Sequence, residues 1–213
     1  MKKNMYSITL FEEVVNAVDR AALRNNMTRS GLINAILAEH LGLVTPEVRQ
    51  KNIFEEISSL LSLDETFLVY PTGADSLFTA KSSIRFKYNP TVRYSVVIYS
   101  AFDKFFGELR VRLRTRNPLL LSTLDTFLSL WQKIEYAYFG ESFSEVGEMK
   151  FTRKLRTPRM VAPDSLGKAS AKYIRLFNDC LTAHFNMYPD VSASAEYISA
   201  KFDDYLRYPS EIV

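Results

Sequence analysis

The feature that most constrains the fold is a stretch in the middle of the chain, Glu108 to Asn117, in which every second residue from Arg110 to Arg116 is an arginine. Four arginines alternate there with apolar residues and one threonine: Arg110, Arg112, Arg114 and Arg116. Because successive side chains of a β-strand point to opposite faces, the arginines would share one face and the apolar side chains the other. The alternation therefore predicts a strand in a sheet with one buried face and one basic face.

Two further alternating runs precede this strand, at Ser83–Tyr88 and Tyr94–Tyr99. Turn-forming residues separate the runs, with Asn89 and Pro90 after the first and the Asp103–Gly107 region after the second. Short connections between successive strands are typical of antiparallel pairing. We therefore expect the three runs to form an antiparallel meander.

Helical periodicity dominates the rest of the chain. The apolar segment Pro118–Phe139 predicts a long helix, an earlier helix begins at Pro46, and one more strand is expected at Met149–Arg156. Two C-terminal helices are predicted from apolar residues at helical spacing: Tyr173, Phe177, Leu181, His184 and Phe185, then Ile198, Phe202, Tyr205 and Leu206. The sequence thus predicts an α+β fold, with residues 1–44 as one domain and residues 45–213 as a second.

The first domain has a shorter pattern of its own. Residues Met5 to Leu10 alternate, and two amphipathic helices follow, separated by a turn at Asn25–Met27. Thr28 is expected to cap the second helix, which Gly42 closes. A lone strand with two short helices cannot bury these apolar stripes, and both edges of the strand would lack hydrogen-bond partners.

Pairing with the same strand of a second chain would solve both difficulties. The two-stranded ribbon would bury Tyr6, Ile8 and Leu10 against the helices of both subunits. The other side of the ribbon would stay exposed, and a two-stranded ribbon fits the major groove of DNA.

The stretch KKNMYSITLFEEVVNAVDRAALRNNMTRSGLINAILAEHLG resembles the ribbon–helix–helix family of DNA-binding proteins, the Arc/MetJ/CopG type. The resemblance rests on SITL, EEVVNAVDRAA and TRSGLINAIL, in that order, and covers roughly the first fifth of the chain. It implies an obligate homodimer that reads double-stranded DNA.

The resemblance also implies two sets of DNA contacts. The outward strand residues would face the bases: Met5, Ser7 and Thr9. The start of the second helix and the basic N-terminal residues would contact the backbone: Lys2, Lys3, Thr28, Arg29 and Ser30. Free N–H groups at a helix N-terminus favour phosphate, which agrees with the second set.

Two residues depart from the family pattern. Met5 stands where a long polar or basic side chain is common, so apolar contact with a thymine methyl replaces hydrogen bonding there. Asn26 stands in the turn where glycine is common. Two other interpretations of the segment stay open: part of a larger domain, or a unit that serves dimerisation alone.

Composition argues against a disulfide-rich, secreted or membrane protein. The chain of 213 residues carries a net charge of +3 and a single cysteine, Cys180, so it has no internal disulfide framework. The N-terminus has no long apolar run, and Asp125, Lys133 and Glu135 interrupt the most apolar helix. We therefore expect a cytoplasmic protein with no membrane-spanning segment.

Metal binding and catalysis are not indicated. Cys180 and His184 are one helical turn apart, but a stable transition-metal site usually has three or four ligands. His184 is therefore expected in the core. The 7 glycines are scattered, with no phosphate-binding loop, and nothing places Ser, His and Asp together. We expect no cofactor, no metal and no enzymatic activity.

Positive charge is concentrated on the predicted sheet, where nine basic and two acidic residues lie between Lys81 and Arg116. If Arg85 and Lys87 point outward as the four arginines do, neighbouring strands share a basic face. Three interpretations of this face stay open: an ordinary open sheet face, contact with DNA backbone flanking the bound site, and an acidic protein partner or anionic ligand.

The resemblance implies a dimeric transcriptional regulator, most simply a repressor, that reads the major groove. An alternative is a plasmid-maintenance or DNA-transfer accessory protein, or an antitoxin, whose second domain recruits a protein partner. A nucleic-acid-processing enzyme is the remaining alternative.

Overall fold

The structure, a computed structural model, describes residues 4–25, 27–70, 77–84, 86, 89–147, 149–157 and 165–207. The chain divides into two compact units, residues 1–51 and 52–213. The division falls inside the third helix, a few residues beyond the domain boundary predicted at residue 44.

Both helices predicted for the N-terminal unit are present, α1 (Glu12–Arg24) and α2 (Arg29–His40). Thr28 caps α2 as expected, because its hydroxyl oxygen accepts a hydrogen bond from the Gly31 amide at 3.1 Å. A third helix, α3 (Pro46–Ser62), begins in this unit and ends in the second.

The predicted N-terminal strand, Met5–Leu10, is not formed in the single chain. Residues 4–11 have no regular secondary structure, and both helices precede every strand of the sheet. The ribbon–helix–helix arrangement is therefore not present in one copy of this chain. The physical reason is that a strand requires a hydrogen-bonded neighbour, and no described segment of the same chain pairs with this one.

The second unit contains a six-stranded antiparallel sheet, so the predicted α+β class is confirmed. The strands are β1 (Phe67–Val69), β2 (Leu77–Ser83), β3 (Thr91–Ile98), β4 (Phe105–Leu113), β5 (Ser144–Gly147) and β6 (Lys150–Arg156). Their order across the sheet is β1-β2-β3-β4-β6-β5. The first four strands form a meander, and the β5–β6 hairpin extends the sheet beside β4.

The strand expected at Ser83–Tyr88 overlaps β2 (Leu77–Ser83) only at Ser83, and Arg85, Lys87 and Tyr88 of that run lie outside the described residues. The Ile84 amide still donates across the hairpin to the Pro90 carbonyl at 3.0 Å, but the next described amides make turn bonds, from Phe86 to the Ile84 carbonyl and from Asn89 to the Phe86 carbonyl. The turn before Pro90 therefore begins earlier than the alternation predicts. The connection expected at Asp103–Gly107 is likewise shorter, because β4 already begins at Phe105.

The three later helices agree with the sequence: α4 (Pro118–Phe139), α5 (Leu166–Met187) and α6 (Val191–Leu206). They pack on one face of the sheet through aromatic side chains. The Phe177 ring of α5 lies 6.3 Å from Tyr94 of β3, 4.9 Å from Phe151 of β6 and 4.8 Å from Trp131 of α4, between ring centroids. This single-sided cover leaves the other face of the sheet open.

One basic residue of β6 points into the core instead of outward. Arg153 is fully buried, and its Nε donates to Oε1 of Glu135 on α4 at 2.6 Å. The Tyr173 hydroxyl donates to the same carboxylate oxygen at 2.6 Å. Burial alone would lower the pKa of Arg153, because it disfavours the charged guanidinium. The electrostatic effect of the neighbouring Tyr173 and Glu135 is larger, so the pKa of Arg153 is raised. Glu135, an acidic residue within the otherwise apolar sequence of α4, thus forms a buried ion pair with Arg153.

His184 is a core residue, as predicted. It is 2% exposed and lies beside Phe127 and Phe185. The Thr123 carbonyl, 3.2 Å from Nε2, can only accept, so Nε2 carries the proton and Nδ1 accepts from the Ser194 hydroxyl at 2.7 Å. Burial lowers the pKa of His184 below its ordinary value.

This burial predicts a pH dependence of stability. The unfolded chain protonates His184 near its ordinary pKa of about 6.5, whereas the folded chain does so only at lower pH. The free energy of unfolding should therefore fall as the pH drops below about 6.5, and this loss should end below the lowered pKa. Urea titrations at several pH values measure it.

His184→Gln is the matched control, since it retains a donor for the Thr123 carbonyl without a titrating ring. The variant should be less stable near neutral pH and should lose the dependence in that pH window. An unchanged pH profile in the variant would contradict the assignment to His184.

Candidate nucleic-acid interface

The open face of the sheet is built from alternate residues of four strands. Their side chains are partly or fully exposed, whereas their strand neighbours form the core. The central members of this face are Thr79, Lys81, Thr91, Arg93, Ser95, Arg110, Arg112, Lys150 and Thr152. Basic and hydroxyl-bearing side chains thus dominate the surface.

The strand register places four cations directly opposite one another. Lys81 of β2 pairs with Arg93 of β3, Arg93 pairs with Arg112 of β4, and Arg112 pairs with Lys150 of β6. We call these four residues the cationic row. Directly opposed residues have Cβ atoms only about 4.5–5.5 Å apart, and like charges in such pairs are destabilising. The row therefore favours an anion above it.

A shallow groove of about 390 Å³ lies along this face. Three members of the cationic row line it, together with two more arginines, two hydroxyl side chains and one leucine: Lys81, Arg93, Arg112, Arg110, Arg114, Thr91, Ser95 and Leu77. Guanidinium and hydroxyl groups are donors, so the groove presents mainly hydrogen-bond donors to solvent.

Local partners reduce the charge beside the row but leave most of the row itself unpaired. Glu108 forms an ion pair with Arg110, and the Tyr99 hydroxyl lies 3.2 Å from Oε2 of the same carboxylate. Among the described residues, no carboxylate pairs with Arg93 or Arg112. Lys81 instead donates to the Tyr70 hydroxyl at 2.7 Å.

The residues that the sequence assigns to this face fall into three groups. Arg110 and Arg112 lie on the open face of β4, as predicted. Arg114 and Arg116 lie beyond the end of the strand at Leu113, which corrects their placement on it, although Arg114 still lines the groove. Arg85 and Lys87 lie outside the described residues.

Three members of the cationic row were not identified as site residues from the sequence: Lys81, Arg93 and Lys150. Each lies at an outward position of its strand, so the alternation of the sequence indicates which face of the sheet it occupies. Their alignment with Arg112 is decided by strand register, which depends on how the turns and the buried faces pack.

The N-terminal unit holds the other predicted contacts. All described members are exposed: Met5, Ser7, Thr9, Thr28, Arg29 and Ser30. Lys2 and Lys3 lie outside the described residues, as does Asn26 of the turn. The Thr28 cap at the start of α2 positions Arg29 and Ser30 in the first turn of the helix.

Arg29 forms an exposed ion pair with Asp19 of α1 through its Nε and a terminal guanidinium nitrogen. The hydrogen bonds from Arg29 lower the pKa of the Asp19 carboxyl. The pair holds the guanidinium between the two helices. It also means that a phosphate would have to compete with Asp19 for the same donors.

The N-terminal unit leaves most of its large apolar side chains exposed. Tyr6 is 80% exposed, Ile8 62% and Leu37 51%, and other apolar residues of both helices are similar. Among the described residues 4–44, only Ala22, Leu32 and Ala38 are buried. Packing within the described part of this unit therefore leaves many large apolar side chains in contact with solvent.

Comparisons of this chain with protein-family models, with curated proteins and with solved structures return no match. Within the described part of the chain, no helix combines the length and apolar character needed to cross a bilayer. No three His, Cys, Asp or Glu side chains of the described residues converge on one point. Burial raises the pKa of the Cys180 thiol to about 12.

The cationic row predicts that removal of one charge stabilises the free protein. Arg112→Gln should raise the free energy of unfolding by roughly 0.2–1 kcal/mol at low ionic strength, because Arg112 opposes a cation on each side. The gain should shrink in about 1 M salt, where the screening length is only about 3 Å. Thermal and urea denaturation measure both effects.

Lys133→Gln is the matched control, since Lys133 is an exposed cation on α4. It should give no comparable gain. A loss of stability in Arg112→Gln, or a gain that does not depend on salt, would show that the row is not under electrostatic repulsion.

Proposed function

We propose that this protein is a homodimeric, sequence-specific DNA-binding protein that acts as a transcriptional regulator, most simply a repressor. Residues 5–10 of two chains pair as a β-ribbon. The ribbon enters the major groove of double-stranded DNA, and the start of α2 contacts the backbone.

The observation that carries this proposal is the incomplete core of the N-terminal unit. Its helices are formed and the second is capped, yet the apolar side chains of residues 4–11 and most large apolar side chains of both helices are exposed or only half-buried. A second copy of the same unit supplies both missing parts: a hydrogen-bonded neighbour for the strand and an apolar surface for Tyr6, Ile8 and Leu10. Dimerisation and ribbon formation are then one event.

The exposed side of that ribbon supports the choice of DNA as the ligand. Ser7 and Thr9 carry short polar side chains, which reach base edges in the major groove without steric conflict. Thr28 and Arg29 stand at a helix N-terminus, where the free N–H groups and the helix dipole favour phosphate. In this proposal, the strand residues contact the bases and the residues at the start of α2 contact the DNA backbone.

The proposed dimer can be tested with substitutions at two adjacent ribbon residues, whose side chains would lie on opposite faces of the strand. Ile8→Asp places a charge on the buried side of the ribbon and should convert the dimer to monomer, because an unpaired buried charge costs several kcal/mol. The adjacent substitution Thr9→Asp places the same charge on the exposed side. It should leave the dimer intact and abolish DNA binding. Sedimentation equilibrium and DNA binding by fluorescence anisotropy measure the two outcomes.

Two results would contradict the ribbon. A wild-type chain that stays monomeric at high concentration would remove the dimer altogether. Equal loss of dimer in Ile8→Asp and Thr9→Asp would show that residues 5–10 do not alternate between a buried and an exposed face.

The Arg29–Asp19 pair gives a second test, in which two substitutions have opposite expected effects. Arg29→Ala should weaken binding to every duplex and reduce the dependence of log K on log salt by about 0.9 for each phosphate that the variant no longer neutralises. Asp19→Asn breaks the same ion pair but frees the guanidinium and removes a negative charge. It should bind DNA as tightly as the wild type or more tightly.

If the pair serves only to hold α1 against α2, both substitutions should weaken binding alike, which would refute the backbone role of Arg29. Ser7→Ala and Thr9→Ala complete the set, because they should change which sequences are selected from random DNA with little change in salt dependence.

A further inference from the structure

The cationic row is the strongest unexplained feature of the second unit. Four cations oppose one another across four strands on an open face, and among the described residues no carboxylate neutralises the two central arginines. Such opposition lowers the stability of the free protein. The arrangement therefore needs a role that an ordinary solvated face does not supply.

The dimensions of the row indicate the size of the anion. Neighbouring strands are about 4.8 Å apart, so the row extends for roughly 14 Å. Arg110 and Arg114 lie beside it in the same groove. A single small anion would neutralise only part of this length. An extended polyanion with closely spaced charges matches it, and duplex DNA carries one phosphate per about 1.7 Å of its axis.

The side chains between the cations indicate which part of the polyanion is contacted. Thr91 and Ser95 line the groove and offer hydroxyl donors, which together with arginine and lysine are typical of contacts to phosphate and sugar. The described tyrosines near this face are already engaged: Tyr94 is fully buried, Tyr99 bonds Glu108, and the Lys81 ammonium lies 4.6 Å from the centre of the Tyr70 ring. This chemistry favours the backbone of a duplex over the bases of a single strand.

We propose that the cationic row, with Arg110 and Arg114, binds the sugar–phosphate backbone of duplex DNA without sequence preference. This inference rests on the proposed function, because a DNA-reading unit in the same chain raises the local concentration of duplex at the sheet. The sheet face adds affinity and salt dependence, whereas the N-terminal unit supplies sequence preference.

The test compares full-length variants on a long random-sequence duplex. Arg93→Gln with Arg112→Gln removes two adjacent charges from the row. The double variant should bind more weakly and reduce the slope of log K against log salt by about 1.8, at 0.9 for each of two phosphates left without a cation. Arg93→Lys with Arg112→Lys retains the charges and should retain the slope.

The matched control is Lys133→Gln with Arg207→Gln, which removes two exposed cations, one from α4 and one from the end of α6, and lowers the net charge equally. Its slope should stay at the wild-type value. An equal reduction in the control would show that net charge alone is responsible and would overturn the inference. Circular dichroism confirms that each variant is folded.

Other outcomes separate this inference from the proposed function. An unchanged slope in the Arg93→Gln, Arg112→Gln variant overturns the sheet contact, even where Ser7→Ala and Thr9→Ala still change sequence preference. A reduced slope without any effect of Ser7→Ala and Thr9→Ala supports the sheet contact and refutes the N-terminal readout. If the wild type binds polyglutamate and the Arg93→Gln, Arg112→Gln variant does not, while the variant still binds the duplex as the wild type does, the row would be assigned to an acidic protein partner. That result would overturn the inference.

Discussion

The sheet of the second unit is covered by helices on only one of its faces, and most other features depend on this asymmetry. The inner face is packed with aromatic side chains, and Phe177 contacts rings from two strands and α4. No described helix of this unit packs on the outer face, so core packing does not restrict which residues can occupy it. Strict alternation along each strand keeps the two faces chemically separate.

The same alternation explains two opposite fates of basic residues on β6. Lys150 points outward and completes the cationic row, whereas Arg153 points inward and requires a buried partner, Glu135. A buried charge is tolerated only when it is paired and hydrogen-bonded. An exposed row of like charges is tolerated at a modest cost in stability, and binding surfaces commonly carry such a cost. The structure thus contains one basic group that is buried and paired, and others that are exposed and oppose one another.

The N-terminal unit shows a different kind of incompleteness. Its helices form because their caps and apolar spacing are local properties, but packing within the unit buries only a few of its apolar side chains. Residues 4–11 have no regular structure for the same reason, since a strand is completed only by a neighbour. Homodimerisation through a ribbon is the proposal that satisfies both requirements at once.

The sequence alone determined the helices, the α+β class, the antiparallel pairing of the second and third alternating runs, the core position of His184 and the outward direction of Arg110 and Arg112. These features follow from periodicity and capping, which act over a few residues. Only the tertiary structure decided that β2 ends at Ser83, that Arg153 is buried against Glu135, and that Lys81, Arg93, Arg112 and Lys150 form one row. Strand register and long-range ion pairs join residues far apart in the chain, so no local pattern specifies them.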